Sequence, residues 1–192
     1  VGLQPESAYR LAIQRHQTRP VDQLLAQARA AWQAGKRQPA IARLREALDL
    51  EPDDAALKAT LADWLLTGND LEAARELLAT LPLEERTAAP ASGLLARLEF
   101  AGLAHDAPDT AALRQRLTAD PNDCGARQQL AARAVVSGDY EAALEQFLEI
   151  LRRRPQFADG AERRGMLAVF AILGDDHPLT GVWRRRLAAS LY

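Results

Sequence analysis

The chain repeats one short phrase, a helix-forming run that ends at a proline. The prolines are Pro52, Pro121 and Pro155; the second follows the first by 69 residues, and the third follows the second by 34. Proline ends a helix because it has no N–H to donate and its ring clashes with the preceding turn. A period of about 34 residues predicts a stack of similar helical pairs.

This period resembles that of tetratricopeptide repeats, whose unit is two helices joined by a tight turn. Composition also favours helices, since 48% of the 192 residues are hydrophobic and only 5% are aromatic, and the abundant alanine and leucine are strong helix formers. We therefore predict an all-α fold, a tetratricopeptide-repeat α-solenoid of about four helical pairs. Residues 21–157 would form the repeats, the third of them degenerate, and residues 158–192 would form a capping pair of helices.

The first repeat shows the pattern clearly. Helices are predicted from Val21 to Ala34 and then onward to Leu50, with a break at Gly35, because a residue without Cβ leaves a helix at low cost. The turn phrase returns at residues 68–70 and 138–139. The copy at 68–70 is expected to hold one extra residue, which would explain the 69-residue gap.

The later units are less regular. Residues 81–93 are predicted to be a loose connector before the degenerate third repeat, and residues 104–108 another connector between its two helices. After the last proline phrase, helices are expected over 159–173 and 179–191, broken near Gly174. A cap is expected there because a stack of repeats exposes apolar surface at its end.

Charge and cysteine content limit the possible partners. The 24 basic and 26 acidic residues leave a charge of −2, which gives no reason to expect nucleic acid or an anionic membrane. No apolar run reaches the roughly 18 residues that span a bilayer, and no signal-peptide pattern opens the chain. One cysteine, Cys124, leaves no internal disulfide framework. We expect a cytoplasmic protein with no membrane partner. Because the chain starts at Val1 and its only methionine is Met166, we also expect it to be a piece of a longer protein.

Residues that could carry chemistry are sparse. The three histidines, His16, His105 and His177, lack the i, i+4 pairing of a helical metal site. A glycine-rich phosphate loop and a Gly-x-Ser-x-Gly phrase are both missing from the sequence. We therefore expect no metal, no cofactor and no enzymatic activity in this chain.

Cys124 allows two interpretations. It follows Asn122-Asp123 at the start of a predicted helix, where the helix dipole can lower a thiol's pKa and make it reactive. An unpaired cysteine more often packs as a small apolar residue between neighbouring helices.

The first helix of each pair is expected to line the inner surface of the stack and to bind protein there. The residues of this surface are of mixed type and rather apolar. They are therefore suited to binding extended or partly unfolded polypeptide, and less suited to forming a clamp for a terminal carboxylate. The same residues could instead pack between repeats. The candidates are Leu25, Arg29, Trp32, Ala59, Asp63, Leu66, Gln128, Ala132 and Val135.

Arginines concentrate at the carboxyl end. Residues 151–192 include eight arginines and four acidic residues, so this segment carries a net charge of +4 and the rest of the chain carries −6. Such a segment could dock on an acidic partner or could be the solvated outer face of a cap. Nucleic acid is a poorer fit, because aromatic residues do not alternate with the arginines.

A more specific resemblance covers the last third of the chain. Ser-Gly-Asp-Tyr-Glu-Ala-Ala-Leu-Glu-Gln-Phe-Leu-Glu-Ile-Leu-Arg-Arg-Arg-Pro (137–155) leads into Asp-Gly-Ala-Glu-Arg-Arg-Gly-Met-Leu-Ala-Val-Phe-Ala-Ile-Leu-Gly (159–174), and the end is Trp-Arg-Arg-Arg-Leu-Ala-Ala-Ser-Leu-Tyr. Together these resemble the carboxyl-terminal half of the YbbN-type thioredoxin-fused co-chaperones, or chaperedoxins. Residues 1–20 resemble the end of a preceding thioredoxin-like domain or a linker helix.

That resemblance implies a bacterial cytosolic protein that holds unfolding clients and passes them to chaperonin or DnaK-type chaperones. It also implies that the last helix contacts chaperonin, with Trp183, Arg184, Arg185, Arg186 and Tyr192 as candidates. Two alternatives stay open: an accessory domain that positions substrates for a thioredoxin-type redox enzyme, and a structural scaffold for an envelope complex. The thioredoxin active-site segment is not part of this sequence.

Overall fold

The computed structural model describes residues 19–190, which form eleven α-helices, one short 3-10 helix and no strand. The all-helical prediction is confirmed for this range. The helices are α1 Pro20–Gln33, α2 Arg37–Leu50, α3 Ala55–Thr67, α4 Leu71–Ala79, α5 Leu83–Thr87, α6 Ala91–His105, α7 Thr110–Ala119, α8 Cys124–Val136, α9 Tyr140–Arg153, α10 Ala161–Leu173 and α11 Pro178–Ala189, with the 3-10 helix at Phe157–Asp159 between α9 and α10.

The chain divides within α3, after Trp64, into two compact units. In the first unit α1 packs along α2. Small Ala40 and Ala47 and the larger Leu44 between them are fully buried on one side of α2. Alanine at these positions lets two helix backbones approach closely, as the small-large-small pattern predicts.

Three helices end in the same turn. A residue with positive φ follows α1, α3 and α8, namely Gly35 (73°), Asn69 (61°) and Gly138 (81°). In each turn the next residue donates its N–H back to a carbonyl five positions earlier, at 2.8–2.9 Å: Lys36 to Ala31, Asp70 to Leu65, and Asp139 to Ala134. This is the Schellman closure, which glycine and asparagine favour because they tolerate a left-handed backbone.

These turns correct the predicted position of the extra residue. Asn69, rather than Gly68, takes the place of Gly35, so the spacing between these two turns is 34 residues. The spacing from Asn69 to Gly138 is 69. The irregularity therefore lies between Asn69 and Gly138, a stretch that includes the third repeat.

The third repeat departs from a regular helical pair. Helix α6 runs to His105, and within the described chain no residue from Ala91 to Asp109 has a positive φ. It makes its main contacts with α8 and α10 rather than with α7. The first predicted connector is also partly wrong, because residues Leu83–Thr87 form the short helix α5, which packs on α6.

The second unit contains a large hydrophobic core. Helices α6, α8, α9, α10 and α11 all contribute to it, and its largest fully buried side chains include Phe147, Leu144, Ile150, Met166 and Trp183. Helix α7 packs on α8 through a smaller cluster of Ala107, Leu113 and Ala126. The predicted capping helices are thus confirmed as helices, and they belong to the main core of this unit.

Aspartates begin several of these helices. The carboxylates of Asp54, Asp109, Asp123 and Asp139 each accept the backbone N–H three residues on, at 2.8–3.1 Å. Such a cap satisfies one of the donors that the first helical turn leaves without a partner. The acidic residues at these turns are accounted for by helix capping.

Candidate protein-binding surfaces

In the first unit, the candidate surface centres on Trp32. Its ring stacks on that of Trp64 with centroids 4.6 Å apart and planes 4° apart. The Arg37 guanidinium lies 5.8 Å from the Trp32 ring centroid. Trp64 is buried, whereas Trp32 is half-buried and presents part of its ring to solvent. A flat, partly exposed aromatic ring of this kind offers apolar contact area to a partner.

The other predicted residues of this unit differ in exposure. Arg29 is exposed and Leu25 half-buried, both on α1 with Trp32. On α3, Ala59 is buried and Asp63 is half-buried. The available surface is therefore the α1 face.

In the second unit, an open cavity of about 300 Å³ lies where the end of α3, the turn into α4, and helices α6, α8 and α9 meet. We call it the Val136 groove, because Val136 is 59% exposed at its edge. Predicted Leu66 and Val135 line it, although Val135 is itself buried. The groove is lined by Leu66, Asn69, Leu71, Arg97, Ala101, Val135, Val136, Ser137, Gly138 and Tyr140.

A second cavity, of about 430 Å³, also reaches Val136 and Ser137. Its lining includes Arg114 and Arg133. The Arg133 guanidinium donates at 2.7 Å to the carbonyls of both Ala107 and Pro108. Its donors thus hold the connector before α7 in place, and Val136 forms the shared apolar rim of the two cavities.

Two further predicted groove residues lie on α8. Gln128 is half-buried, and Ala132 is fully buried in the main core. Ala132 therefore packs between helices, as the alternative interpretation held. Sequence reasoning missed Val136, which follows Val135 and ends α8; its place beside the turn at Gly138 was the available signal.

At the carboxyl end, Trp183 is 1% exposed and belongs to the main core. Its neighbours remain at the surface. Arg186 lies over the Trp183 ring at 4.5 Å, and Arg184 pairs with Asp175 at 2.6 Å. Arg185 is exposed on the same helix. Tyr192 lies outside the described residues. Of the predicted residues on α11, the three arginines are therefore exposed and the tryptophan is buried.

The arginine-rich segment is partly neutralised by local pairing. Glu149 accepts from Arg152 at 3.1 Å and from Arg153 at 3.2 Å. Burial acts to raise the pKa of Glu149, but the hydrogen bonds from these two arginines outweigh it and hold the pKa below its usual value. Residues 149–154 therefore keep a net charge of +2, and the residues after Pro155, with five arginines and four acidic residues, carry +1.

Cys124 is 2% exposed and packs in the main core. The structure therefore favours the packing interpretation, since a buried thiol does not meet solvent oxidants or client cysteines. Within residues 19–190, no three His, Cys, Asp or Glu side chains come together as metal ligands. In the same range, no helix has the length and apolarity needed to cross a membrane.

Two family models match this chain, and both describe the same kind of repeat. A family model of a tetratricopeptide repeat matches residues 31–98, and a second such model matches residues 103–192. Among solved structures, the chain is 30% identical to a domain of a Vibrio parahaemolyticus protein of unknown function; the match covers 89% of this chain and 99% of that domain, with a TM-score of 0.41. No curated protein matches the chain. The two family models confirm the predicted α-solenoid of tetratricopeptide repeats.

Proposed function

Since this chain is a tetratricopeptide-repeat protein, and such repeats bind other proteins, we propose that it is the interaction module of a thioredoxin-like co-chaperone. In this role it holds unfolding client proteins and contacts chaperonin or DnaK-type chaperones in the bacterial cytoplasm. It works without a cofactor and catalyses no reaction itself.

The observation that carries this proposal is the Val136 groove. An exposed valine at the meeting point of two cavities offers apolar area to a partner that itself exposes apolar side chains. Burial of apolar area is worth about 25 cal/mol per Å². Apolar contacts are individually weak and have no preferred direction, so one surface can bind clients of many sequences.

The charges around the groove support the same conclusion. A clamp for a terminal carboxylate needs cationic donors directed at the ligand. Arg133 lines the adjoining second cavity, and its donors Nε and Nη2 are engaged by backbone carbonyls. Arg97, which lines the groove itself, already takes part in an interaction within the chain. Apolar contact is therefore the main attraction that the groove offers.

Suppression of aggregation tests the proposal. Citrate synthase is heated with an equimolar amount of the 192-residue chain, without ATP, and light scattering is recorded. We expect the unmodified chain to reduce scattering and Val136→Lys to lose most of this protection, because burying an ammonium group against apolar client segments is costly.

Leu83→Lys is the matched control, because Leu83 is 68% exposed on α5, outside both cavities. It should protect as well as the unmodified chain, and both variants should keep the unmodified melting temperature. Equal protection by Val136→Lys and the unmodified chain would rule out the groove as the client surface. No protection by the unmodified chain would contradict the holding function.

A further inference from the structure

The segment after Pro155 has an unusual backbone. Gln156, Ala158 and Asp159 all have positive φ, at 75°, 44° and 56°, and Gly160 follows at 82°. Non-glycine residues adopt this conformation at a cost of about 1–2 kcal/mol each. The Arg164 guanidinium donates to the carbonyls of Ala158 and Asp159 and so holds the segment in this form.

This segment borders an open cavity of about 580 Å³ between the end of α9 and the start of α10. We call it the junction cavity. Its lining includes Leu151, Gln156, Asp159, Glu162, Arg163 and Arg164. Its volume lies within the range of about 300–1,000 Å³ that is typical of ligand pockets.

Glu162 is the unusual group in this lining. It is only 3% exposed, although glutamate is almost never buried without a partner. Its Oε1 accepts the backbone N–H of Gln156 at 3.3 Å. Its Oε2 is also buried and has no hydrogen-bond partner among the described residues.

The fold compensates this carboxylate only in part. Glu162 lies in the first turn of α10, where the helix dipole favours a negative charge by about 0.3–1 kcal/mol. A buried acceptor left without a hydrogen bond costs more, about 1–3 kcal/mol and higher for a charged group. A cationic donor placed at Oε2 would remove that deficit.

The chemistry of the lining selects the kind of donor. Glu162 is not part of any group of three metal-ligating side chains in the described chain, so a metal ion would lack ligands. A lysine ammonium or an arginine guanidinium needs only one well-placed carboxylate and can extend its apolar stem past Leu151. Arg163 and Arg164 balance the charges of Asp159 and Glu162 in the same lining, so a cation is attracted locally at Oε2 of Glu162 and a second cation meets no net negative charge.

We propose that the junction cavity binds a single basic side chain, lysine or arginine, of a protein partner through a charge-assisted hydrogen bond to Oε2 of Glu162. The neighbouring residues of the partner are neutral or acidic, since the lining offers no net negative charge to a run of basic residues. The inference rests on the proposed function only in taking the occupant to be a protein, and peptides test it without a client or a chaperone.

The test is a titration of the 192-residue chain with three blocked peptides, followed by ¹H–¹⁵N spectra. The peptides are acetyl-Gly-Arg-Gly-amide, acetyl-Gly-Lys-Gly-amide and, as the uncharged analogue, acetyl-Gly-norleucine-Gly-amide. We expect either or both of the basic peptides to move the amide signals of Gln156 and Gly160 in a saturable way. The norleucine peptide should leave them in place.

Glu162→Gln removes the charge and keeps a carbonyl that can accept from Gln156. We expect it to weaken binding of the basic peptides at least about tenfold, since charge-assisted hydrogen bonds are roughly twice as strong as neutral ones. Glu141→Gln, a change of an exposed glutamate on α9, is the matched control and should bind as the unmodified chain does.

Three results would overturn the proposal: equal binding of the norleucine peptide, unchanged binding to Glu162→Gln, or no saturable shift with any peptide at about 10 mM, well above a millimolar dissociation constant. The norleucine comparison uses only the unmodified chain and so remains decisive if Glu162→Gln does not fold. The aggregation assay depends on the Val136 groove, so failure there and failure here are separate outcomes.

Discussion

The ring of Phe147 occupies the space in which residue 165 would carry a Cβ atom. A Cβ built on Gly165 would lie 2.8 Å from Cδ1 of Phe147 and closer still to Cε1 and Cζ. Real Cβ atoms essentially never approach other atoms so closely. The absence of a side chain at this position of α10 therefore allows Phe147 of α9 to reach the middle of the core, where it is 1% exposed.

Gly165→Ala should destabilise the second unit. Overpacking a close-packed core costs about 1–3 kcal/mol, and the gain in helix propensity of about 1 kcal/mol offsets only part of this. The measurement is urea unfolding followed by circular dichroism. Gly102→Ala is the control, since a Cβ there meets nothing within 4 Å, and it should leave stability unchanged or raise it. Equal effects of the two changes would contradict the packing argument.

The Trp32–Trp64 stack should be measurable as a coupling energy. Replacing each ring by leucine, singly and together, should give a coupling of about 0.5–1.5 kcal/mol in a double-mutant cycle, because offset stacking adds to simple burial. The near-ultraviolet circular dichroism of the stacked pair should vanish in either single variant. Trp183 contacts Arg186 instead, so the effects of Trp32→Leu and Trp183→Leu on the free energy of unfolding should be additive.

Asp123 should make stability depend on pH at acid values. The backbone N–H of Ala126 and, next, the guanidinium of Arg116 hold the pKa of Asp123 below its usual value, although burial opposes them. A group with a lowered folded-state pKa stabilises the fold above its unfolded pKa, and this contribution is lost as pH falls through the folded-state pKa.

Comparison with Asp123→Asn isolates the charge, because asparagine can still cap α8. The unmodified chain should be more stable by about 0.3–1 kcal/mol between pH 5 and 7. The difference should shrink as pH falls below about 4, where the unfolded carboxyl is protonated. Urea unfolding of both proteins at a series of pH values gives the difference in their free energies of unfolding and its dependence on pH. A difference that stays constant down to pH 3 would show that the charge contributes nothing.

The proposed chaperonin contact of α11 should respond to one surface charge. Arg185→Glu changes an exposed residue and leaves the buried Trp183 and Leu187 in place. We expect weaker capture of chaperonin, and a larger loss at low salt than at high salt because salt screens exposed charges. Arg45→Glu, an exposed change on α2, should not affect capture. Unchanged capture by Arg185→Glu would remove this arginine from the contact.

Local chemistry made much of the fold predictable. Proline, glycine and the small alanines act within one turn of their own position, so the helices before Pro52 and around Gly35 were placed to within about two residues. The Asn69 turn shows the limit of the same argument. Both glycine and asparagine accept a left-handed backbone, and only the hydrogen bonds to Leu65 and Leu66 show which of Gly68 and Asn69 adopts it.

Burial depends on contacts between distant parts of the sequence, which periodicity does not report. Trp183 was expected at a contact surface because the family resemblance implies that the last helix contacts chaperonin, yet it lies in the core shared with α9 and α10. The hydrogen bond that Oε1 of Glu162 accepts could not be foreseen either, because its donor is the backbone N–H of Gln156 in the segment before α10. Val135 and Val136 are neighbours in the sequence, yet Val135 is buried and Val136 is exposed, because successive residues of a helix point in different directions.

The close approach of α6 and α10 has a consequence for how the second unit folds. A Cβ on Gly93 would lie 2.7 Å from the carbonyl oxygen of Ala171, so the two backbones nearly touch across a long stretch of sequence. Arrays in which each repeat touches only its neighbours can lose structure one repeat at a time. Here a contact between distant segments joins the third repeat to the capping helices. Residues 91–173 should therefore unfold in one cooperative step and exchange their slowest amide hydrogens together.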